Sequence, residues 1–564
     1  MKKLITLAML ACCTCSYAGK NSLPNIIPAP KSIEMSSGSF NVKGAFVNYD
    51  QSLEKRTVDA VARLADELYV ATGRVSSVAS AAGIDASTPL KQLKGIYFIT
   101  DSSLPAEAYD IEIGKRAVKV TASDHNGFIY ALSSIRQMLP VELNAGKTVS
   151  GVNWKLPCCV IKDSPRFGYR GLMLDSSRHF WSVAEVKRFL AIMSVYKLNR
   201  LHWHLTDDQG WRVEIHKYPR LTDIGAFRAQ TALPYSPEFD GKRYGGYYTR
   251  EEIKDIVAYA ETLGITIVPE IDLPGHMVAA LASYPELGCT GGPYEVRTQW
   301  GISKDVLCPG KESTFEFLEG VLDELCELFP GEYIHIGGDE CPKTKWESCP
   351  DCQARIAALG LKSDNNGTKE QRLQNYVTKR IQDHLATKGR KIIGWDEILE
   401  GDLAPGATVM SWRGTKGGIK ASAKGFDVVM SPNTYCYFDY YQSDKWDEEP
   451  IGIARGRKTL PLGKVYGYEP FEGFEAGAEK HILGVQANLW TEYVAENDHL
   501  EYMLLPRLLA LSEVQWCPEG SKDYEGFLAK VAAYHIPLLD ILGYNYRPLS
   551  FPNERGLSNS NLKN

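Results

Sequence analysis

The chain is 564 residues long, 44% hydrophobic and 23% charged, with a net charge of −6 and a sequence pI near 6.1. That length exceeds one small domain, and the slightly acidic balance offers no basic face for nucleic acid or an anionic membrane. The 30 tyrosines and 11 tryptophans supply flat apolar faces of the kind that cover sugar rings.

At the N-terminus, Lys2 and Lys3 precede an apolar run from Leu4 to Cys13, and Ser16-Tyr17-Ala18 resembles a small-residue cleavage site. Residues 1–18 are therefore expected to be a signal peptide, too short for a permanent membrane span. The expected location is periplasmic or secreted. Leu10-Ala11-Cys12-Cys13 also resembles a lipoprotein box, which leaves an outer-membrane lipid anchor as the alternative. No later stretch qualifies as transmembrane. In an exported chain, Cys289 and Cys308 are expected disulfide partners. Cys349-Pro-Asp-Cys352 reads as half of a zinc site, but no second CxxC follows, so a loop disulfide or free thiols are expected there.

Residues 19–163 read as a smaller α+β accessory domain. Thr57–Tyr69 and Asn126–Met138 have helical periodicity, Gly95–Thr100 reads as a strand, and Tyr109–Thr121 as a hairpin turning at Gly114-Lys115. No cluster of acids or histidines suggests a site there.

Residues 164–545 alternate strand and helix, with 546–564 left as a C-terminal tail. Eight apolar strand cores appear, at Gly171–Leu174, Leu201–Leu205, Ile265–Pro269, Tyr333–Ile336, Lys391–Gly394, Thr408–Met410, Val428–Met430 and Leu483–Gln486. Ser182 with Glu185 and Thr249 with Glu252 fit capping boxes. Eight βα units without a glycine-rich phosphate loop predict an α/β fold of the (β/α)8 TIM-barrel type.

A barrel gathers its chemistry where the strands end. In chain order those ends carry Asp175, Arg178 and His179; Asp207, Asp208, Gln209 and Trp211; Glu270, Asp272 and His276; Asp339 and Glu340. Then come Trp395, Asp396 and Glu397; Trp412 and Arg413; Tyr437 and Asp439; and Asn488, Trp490 and Glu492. Acids, one or two arginines and three tryptophans make a pocket for a neutral polyhydroxyl ring. At His335-Ile336-Gly337-Gly338-Asp339-Glu340 a strand runs into a glycine pair and then two carboxylates, a candidate acid catalyst with its partner. The competing chemistry is a metal-dependent hydrolase built from His202, His204, His276, His335 and Asp339. The first two and His335 lie on strands, below the expected pocket floor, so no metal and no cofactor are expected.

Taken together, Arg170 to His179, His202 to Arg212, Pro269 to His276 and the Asp339-Glu340 motif resemble the family 20 glycoside hydrolases, the β-N-acetylhexosaminidases. The resemblance runs over almost the whole chain. It implies an exo-acting, retaining enzyme that removes terminal β-linked N-acetylglucosamine or N-acetylgalactosamine. It also implies that the substrate's own 2-acetamido oxygen attacks the anomeric carbon. Neighbouring residues, with α-carbons about 3.8 Å apart, suit that better than two carboxyls flanking a sugar at about 5–5.5 Å or 6.5–9.5 Å. On this resemblance Glu340 is the general acid and then base, with a carboxyl pKa raised by burial and by Asp339, which itself steers the acetamido group. Tyr437 binds the acetamido oxygen, and Asp207 and His276 orient Glu340. Arg178, Asp439 and Glu492 grip ring hydroxyls, while Trp395, Trp412 and Trp490 line the pocket. The insertion between the seventh and eighth strands, with Asp447-Glu448-Glu449-Pro450, is expected on the aglycone side. The alternatives are a disaccharide-releasing lacto-N-biosidase-like enzyme and a non-catalytic carbohydrate-binding relative. Oligomeric state is left open.

Overall fold

In the computed structural model, which describes residues 23–401 and 403–549, the chain builds two units joined along a buried seam. The expected signal peptide, the lipoprotein-like box and most of the expected tail lie outside the described residues.

The first unit is a seven-stranded mixed sheet, in the order Ser32–Asn41, Lys155–Asp163, Tyr109–Ile113, Ala117–Ala122, Gly95–Thr100, Val47–Asp50 and Val78–Ala81. Helices Lys55–Thr72 and His125–Met138 pack Leu64, Leu68, Phe128 and Leu132 into one core with Ile111, Val118 and Val120 of the sheet. Asp124 caps the second helix by accepting the Gly127 N–H at 2.8 Å. Four strands not read from the sequence complete the sheet: Ser32–Asn41, Val47–Asp50, Val78–Ala81 and Lys155–Asp163. Ser32–Asn41 is an edge strand, rich in polar residues, with an irregular register between Met35 and Ser39. Lys155–Asp163 carries Pro157, which weakens any strand signal.

The second unit is a closed barrel of eight parallel strands, all at the expected places. In chain order they are Tyr169–Asp175, Arg200–His204, Thr266–Glu270, Tyr333–His335, Lys391–Trp395, Thr408–Ser411, Asp427–Met430 and Ile482–Leu489. The eighth closes on the first in the register Gln486↔Gly171. Most strand residues are buried on both faces, which is why they read as short apolar runs. Both expected capping boxes form, at Ser182/Glu185 and Thr249/Glu252, and a third at Thr368/Gln371 opens helix Lys369–Thr387.

The seam lies at the N-terminal ends of the barrel strands. Fully buried Lys197 pairs with Asp163 at 3.1 Å, and Asp163 also accepts from Tyr109 at 2.5 Å and from Trp516 Nε1 at 2.9 Å. Arg170 pairs with Glu107 at 2.8 Å. Burial alone would raise the Glu107 carboxyl, but Arg170, Asn199 and Tyr130 outweigh it and bring the pKa down to about 2. The first unit thus braces the face of the barrel associated with stability, leaving the opposite rim for chemistry.

Candidate active site

The fourth barrel strand ends in Gly337 and Gly338, at φ +63° and +96°. A Cβ on Gly337 would stand 1.7 Å from Asp272 Oδ1, so only glycine fits between the strand and that carboxylate. The Gly338 N–H donates to the same oxygen at 3.2 Å, and Gln374 Nε2 donates to the Gly338 carbonyl at 2.7 Å. This pinned turn delivers Asp339 and Glu340 to the rim. Glu340 itself sits at φ +45°, a conformation costing about 1–3 kcal/mol in a non-glycine residue and concentrated at functional sites.

Ten of the eleven residues singled out from the sequence line one cavity of about 160 Å³: Arg178, His276, Asp339, Glu340, Trp395, Trp412, Tyr437, Asp439, Trp490 and Glu492. The eleventh, Asp207, lies behind His276. The cavity, a cup, runs from an exposed acid into a buried lining. Glu340, its side chain 35% exposed, stands at the mouth; Arg178 and Asp439 are buried at the far end. Trp412 stacks on Tyr437 with ring centroids 6.1 Å apart and 19° between planes, and Trp395 meets Trp490 at 5.9 Å. The Trp490 indole N–H donates to the Tyr437 hydroxyl, and the Arg178 guanidinium lies 4.9 Å from the Trp490 ring centre.

A chain of charges runs behind the acids. Asp207 Oδ2 meets Arg178 Nη2 at 2.8 Å and His204 Nε2 at 2.9 Å, while Asp207 Oδ1 meets His276 Nδ1 at 3.0 Å. Burial disfavours the Asp207 anion, yet Arg178 and His276 outweigh it and hold the carboxyl well below the usual range. Burial likewise disfavours the charged imidazole of His276, but Asp207 and its neighbours keep its pKa well above that of free histidine. His276 Nε2 then points between the two acids, 3.7 Å from Glu340 Oε2 and 3.9 Å from Asp339 Oδ2. Burial, reinforced by Glu270 and Glu340, raises the Asp339 carboxyl despite His276.

Several buried polar atoms converge on the cup without a protein partner: Asp339 Oδ1, Asp439 Oδ1, Glu492 Oε2 and His276 Nε2. An unpaired buried polar atom costs about 1–3 kcal/mol, so the three carboxyl oxygens call for hydrogen-bond donors on a ligand, while the charged His276 Nε2 offers a proton. Burial raises both Asp439 and Glu492; Glu492 adds to the shift at Asp439, while at Glu492 Arg178 pulls against burial and Asp175 and Asp207 add to it. Arg178 is itself fixed by Asp175 at 3.2 Å and Gln209 at 3.1 Å.

His202, His204 and His335 lie beneath the cup, all gathered on Glu270. His202 Nε2 and His335 Nδ1 each stand 2.9 Å from its oxygens, His204 Nδ1 is hydrogen-bonded to it, and Trp395 Nε1 donates to it at 2.9 Å. They position the floor and do not face the cavity.

Three expectations need correction. The Glu340 side chain is a third exposed, where burial was expected to tune it; the flanking Asp339 side chain, at 12%, is the buried member of the pair. The seventh-strand insertion, whose acidic run was expected on the aglycone side, turns part of that run inward. Glu449 is buried against Arg547 at 3.2 Å, and the insertion's contributions to the cup, Tyr440 and Ile453, sit by Asp439, where the Ile453 N–H donates to the Asp439 carbonyl at 2.8 Å. Cys289 and Cys308 are not bonded to each other; both are free thiols, gathered with Cys349 and Cys352.

Some site residues escaped the sequence. Tyr440 continues the aromatic run from Tyr435 and could have been flagged by its spacing from Tyr437; Ile453 had no signal. Glu397, noted only as a strand-end acid, accepts the Trp412 indole N–H at 2.9 Å. Its carboxyl is pushed up to about 8 by burial and by Asp339 and Asp396.

A parallel barrel whose rim carries adjacent acids, an aromatic-walled cup and unsatisfied carboxylates at its buried end is built to bind and hydrolyse a glycoside. Residues 167–519 match the catalytic domain of glycosyl hydrolase family 20, and residues 23–164 match domain 2 of that family. A β-hexosaminidase of Porphyromonas gingivalis is 40% identical across 98% of this chain and 70% of its own length; one of Vibrio furnissii is 37% identical across 80% and 74%. An exo-β-N-acetylglucosaminidase of Vibrio harveyi, solved with N-acetylglucosamine, superimposes with a TM-score of 0.80 at 35% identity, covering 94% of this chain and 79% of its own. A β-N-acetylhexosaminidase of Streptomyces coelicolor gives 0.79 at 30% identity, covering 95% and 99%. The chain belongs to glycosyl hydrolase family 20 and is an enzyme of the β-N-acetylhexosaminidase class.

Proposed function

We propose that this exo-β-N-acetylhexosaminidase works through the residues gathered at the cup, with Glu340 as the acid that protonates the leaving oxygen and then activates water. The observation that carries this reading is the unpartnered Asp339 Oδ1, buried beside Glu340 and opposite Tyr437 in one small cavity. An acetamido N–H is the donor this oxygen lacks, and the Tyr437 hydroxyl is placed for the acetamido oxygen. The two carboxylates have oxygens within 4.8 Å of each other and of His276 Nε2, so they stand on one wall. That placement suits one acid serving the leaving group while its neighbour steers the acetamido oxygen onto the anomeric carbon. The bond to the leaving oxygen breaks as the acetamido oxygen bonds to that carbon, and water then opens the resulting ring with net retention.

Arg178, Asp439 and Glu492 receive the ring hydroxyls at the buried end, and Trp395, Trp412 and Trp490 cover the sugar. A disaccharide-releasing enzyme needs room beyond Arg178 and Asp439, where Asp175, Gln209, Tyr440 and Ile453 close the wall. The substrate class is a glycan with a terminal β-linked N-acetylhexosamine. Lys2-Lys3, the following apolar run and Ser16-Tyr17-Ala18 support export from the cytoplasm. Among the described residues no helix is long and apolar enough to cross a membrane.

Glu340→Gln tests the assignment. Its kcat on an N-acetyl-β-glucosaminide with a poor leaving group is expected to fall by about 10²-fold or more, with a smaller loss on an activated aryl substrate. Equal turnover of the poor leaving group by variant and wild type contradicts the assignment.

A further inference from the structure

We infer that Cys289, Cys308, Cys349 and Cys352 form a structural zinc site that ties the catalytic loop to its neighbour. The four sulfurs all lie within 4.8 Å of one another. Cys308 Sγ stands 3.5 Å from Cys352 and 3.7 Å from Cys349, and Cys289 Sγ stands 3.8 Å from Cys352. A disulfide requires sulfurs at about 2.0 Å, which none of these pairs approaches. A tetrahedron of thiolates about 2.3 Å from zinc has edges of about 3.8 Å, the spacing seen here.

The surroundings suit four thiolates. Cys308, Cys349 and Cys352 are buried, with Val306, Trp346, Ile356 and Leu373 packed around them. Cys349 caps the nine-residue helix Pro350–Ala358 and Cys352 lies in its first turn, where the helix dipole favours a thiolate. The Gly310 N–H donates to the Cys308 sulfur. The backbone around the ligands is already fixed: Cys308 N–H donates to the Leu287 carbonyl at 2.8 Å, and Trp346 Nε1 to the Leu307 carbonyl at 2.9 Å. Four soft sulfur donors select zinc over magnesium or calcium. On binding, the four thiols release their protons to solvent and the ion takes the four sulfurs, with no oxidant consumed.

The ligands come from two rim loops. Cys289 and Cys308 follow the third barrel strand, in the same excursion as His276. Cys349 and Cys352 follow the fourth, shortly after Asp339 and Glu340. The two loops touch at their bases, where a Cβ on Gly275 would lie 3.2 Å from the Cys341 α-carbon. Zinc would hold the two loops together from behind the acids and their histidine.

The test is metal analysis of the full-length protein purified without chelator, combined with its intact mass under non-reducing conditions. One zinc per chain is expected, released stoichiometrically to a chromogenic chelator when a mercurial titrates the thiols. Cys352→Ser is expected to retain less than a tenth of that zinc and to melt at lower temperature. Should that variant fail to fold, the wild-type zinc content and its mercurial release still decide the matter. A wild-type mass with these cysteines oxidised to disulfides, a metal-free protein with all four thiols reactive, or stoichiometric iron in place of zinc would each overturn the assignment. Because the readouts are metal content and mass, they stand apart from the Glu340 test of catalysis.

Discussion

Asp207→Asn removes one negative charge with little change of shape, at the point where Arg178 and His276 share a counterion. The substitution weakens three buried ion pairs, at 2.8 Å to Arg178, 2.9 Å to His204 and 3.0 Å to His276. A charge pair at 4 Å in an effective dielectric of 20 is worth about 4 kcal/mol, and breaking a buried pair costs about 3–5 kcal/mol because the partner stays buried and charged. Asp175 still holds Arg178 at 3.2 Å, which places the expected stability loss near the lower bound, about 3 kcal/mol. The larger consequence falls on His276. Burial opposes its charged form and Asp207 is the chief group sustaining it, so the variant imidazole becomes neutral at a lower pH. Glu340 then loses its charged neighbour, and kcat on an aryl N-acetyl-β-glucosaminide is expected to drop about 10²-fold, the scale of a misplaced catalytic group, with a smaller change in KM. The alkaline limb of the pH–rate profile should move to lower pH. For stability, the raised His276 contributes fully below its unfolded value of 6.5 and loses that contribution as pH climbs through its higher folded value. The depressed Asp207 contributes above its unfolded value of 3.8 and loses it as pH falls towards its lower folded one. The gap in Tm between wild type and variant should therefore be widest between pH 3.8 and 6.5. An unchanged alkaline limb together with undiminished kcat would refute the argument.

Asp339→Asn should lower kcat by about 10²–10³-fold, the usual cost of one electrostatic stabiliser of the transition state, while the circular dichroism spectrum stays that of the wild type; the check is side-by-side kinetics on substrates with and without the 2-acetamido group. Efficient cleavage of a plain β-glucoside by the wild type would count against substrate assistance. Gly337→Ala should cut activity severely, because its Cβ would displace the Asp272 carboxylate that holds Gly338; a variant with wild-type kcat and Tm would show that the turn is not constrained as described. Glu107→Gln addresses acid stability. The carboxyl pKa of Glu107 falls from 4.5 unfolded to about 2 folded, so it contributes roughly 3 kcal/mol above pH 4.5 that disappears as pH falls through about 2. The Tm difference between this variant and wild type should shrink over that window, and a constant difference would contradict it.

The eight barrel strands were legible because strands buried on both faces carry short, largely apolar cores, and because each ends abruptly in charged or aromatic residues. The cup was legible for the same reason: residues such as Arg178, Asp339 and Glu492 sit just past those ends, so the strand count alone predicts their convergence. The reading fell short where position depends on long connections. Ile453 reaches Asp439 from within an insertion whose path no local pattern dictates, and the acidic run Asp447-Glu448-Glu449 gave no hint that Glu449 turns inward to Arg547. The cysteine cluster was hidden for a related reason. A second CxxC is missing because Cys289 and Cys308 arrive singly, 19 positions apart, from the excursion after a different strand. Edge strand Ser32–Asn41 was lost because half-exposed strands carry little apolar signal.

The buried end of the cup governs how this enzyme must move along its substrate. With Arg178, Asp439 and Glu492 gripping the terminal ring deep in the cup, as proposed above, the released sugar leaves by the opening through which the chain came in. The shortened glycan must therefore let go before the product can escape, and each round begins with a fresh encounter. On the proposed site, digestion is expected to be distributive: a mixed population of chains is trimmed evenly from its tips, and a single blocked terminal residue shields everything behind it.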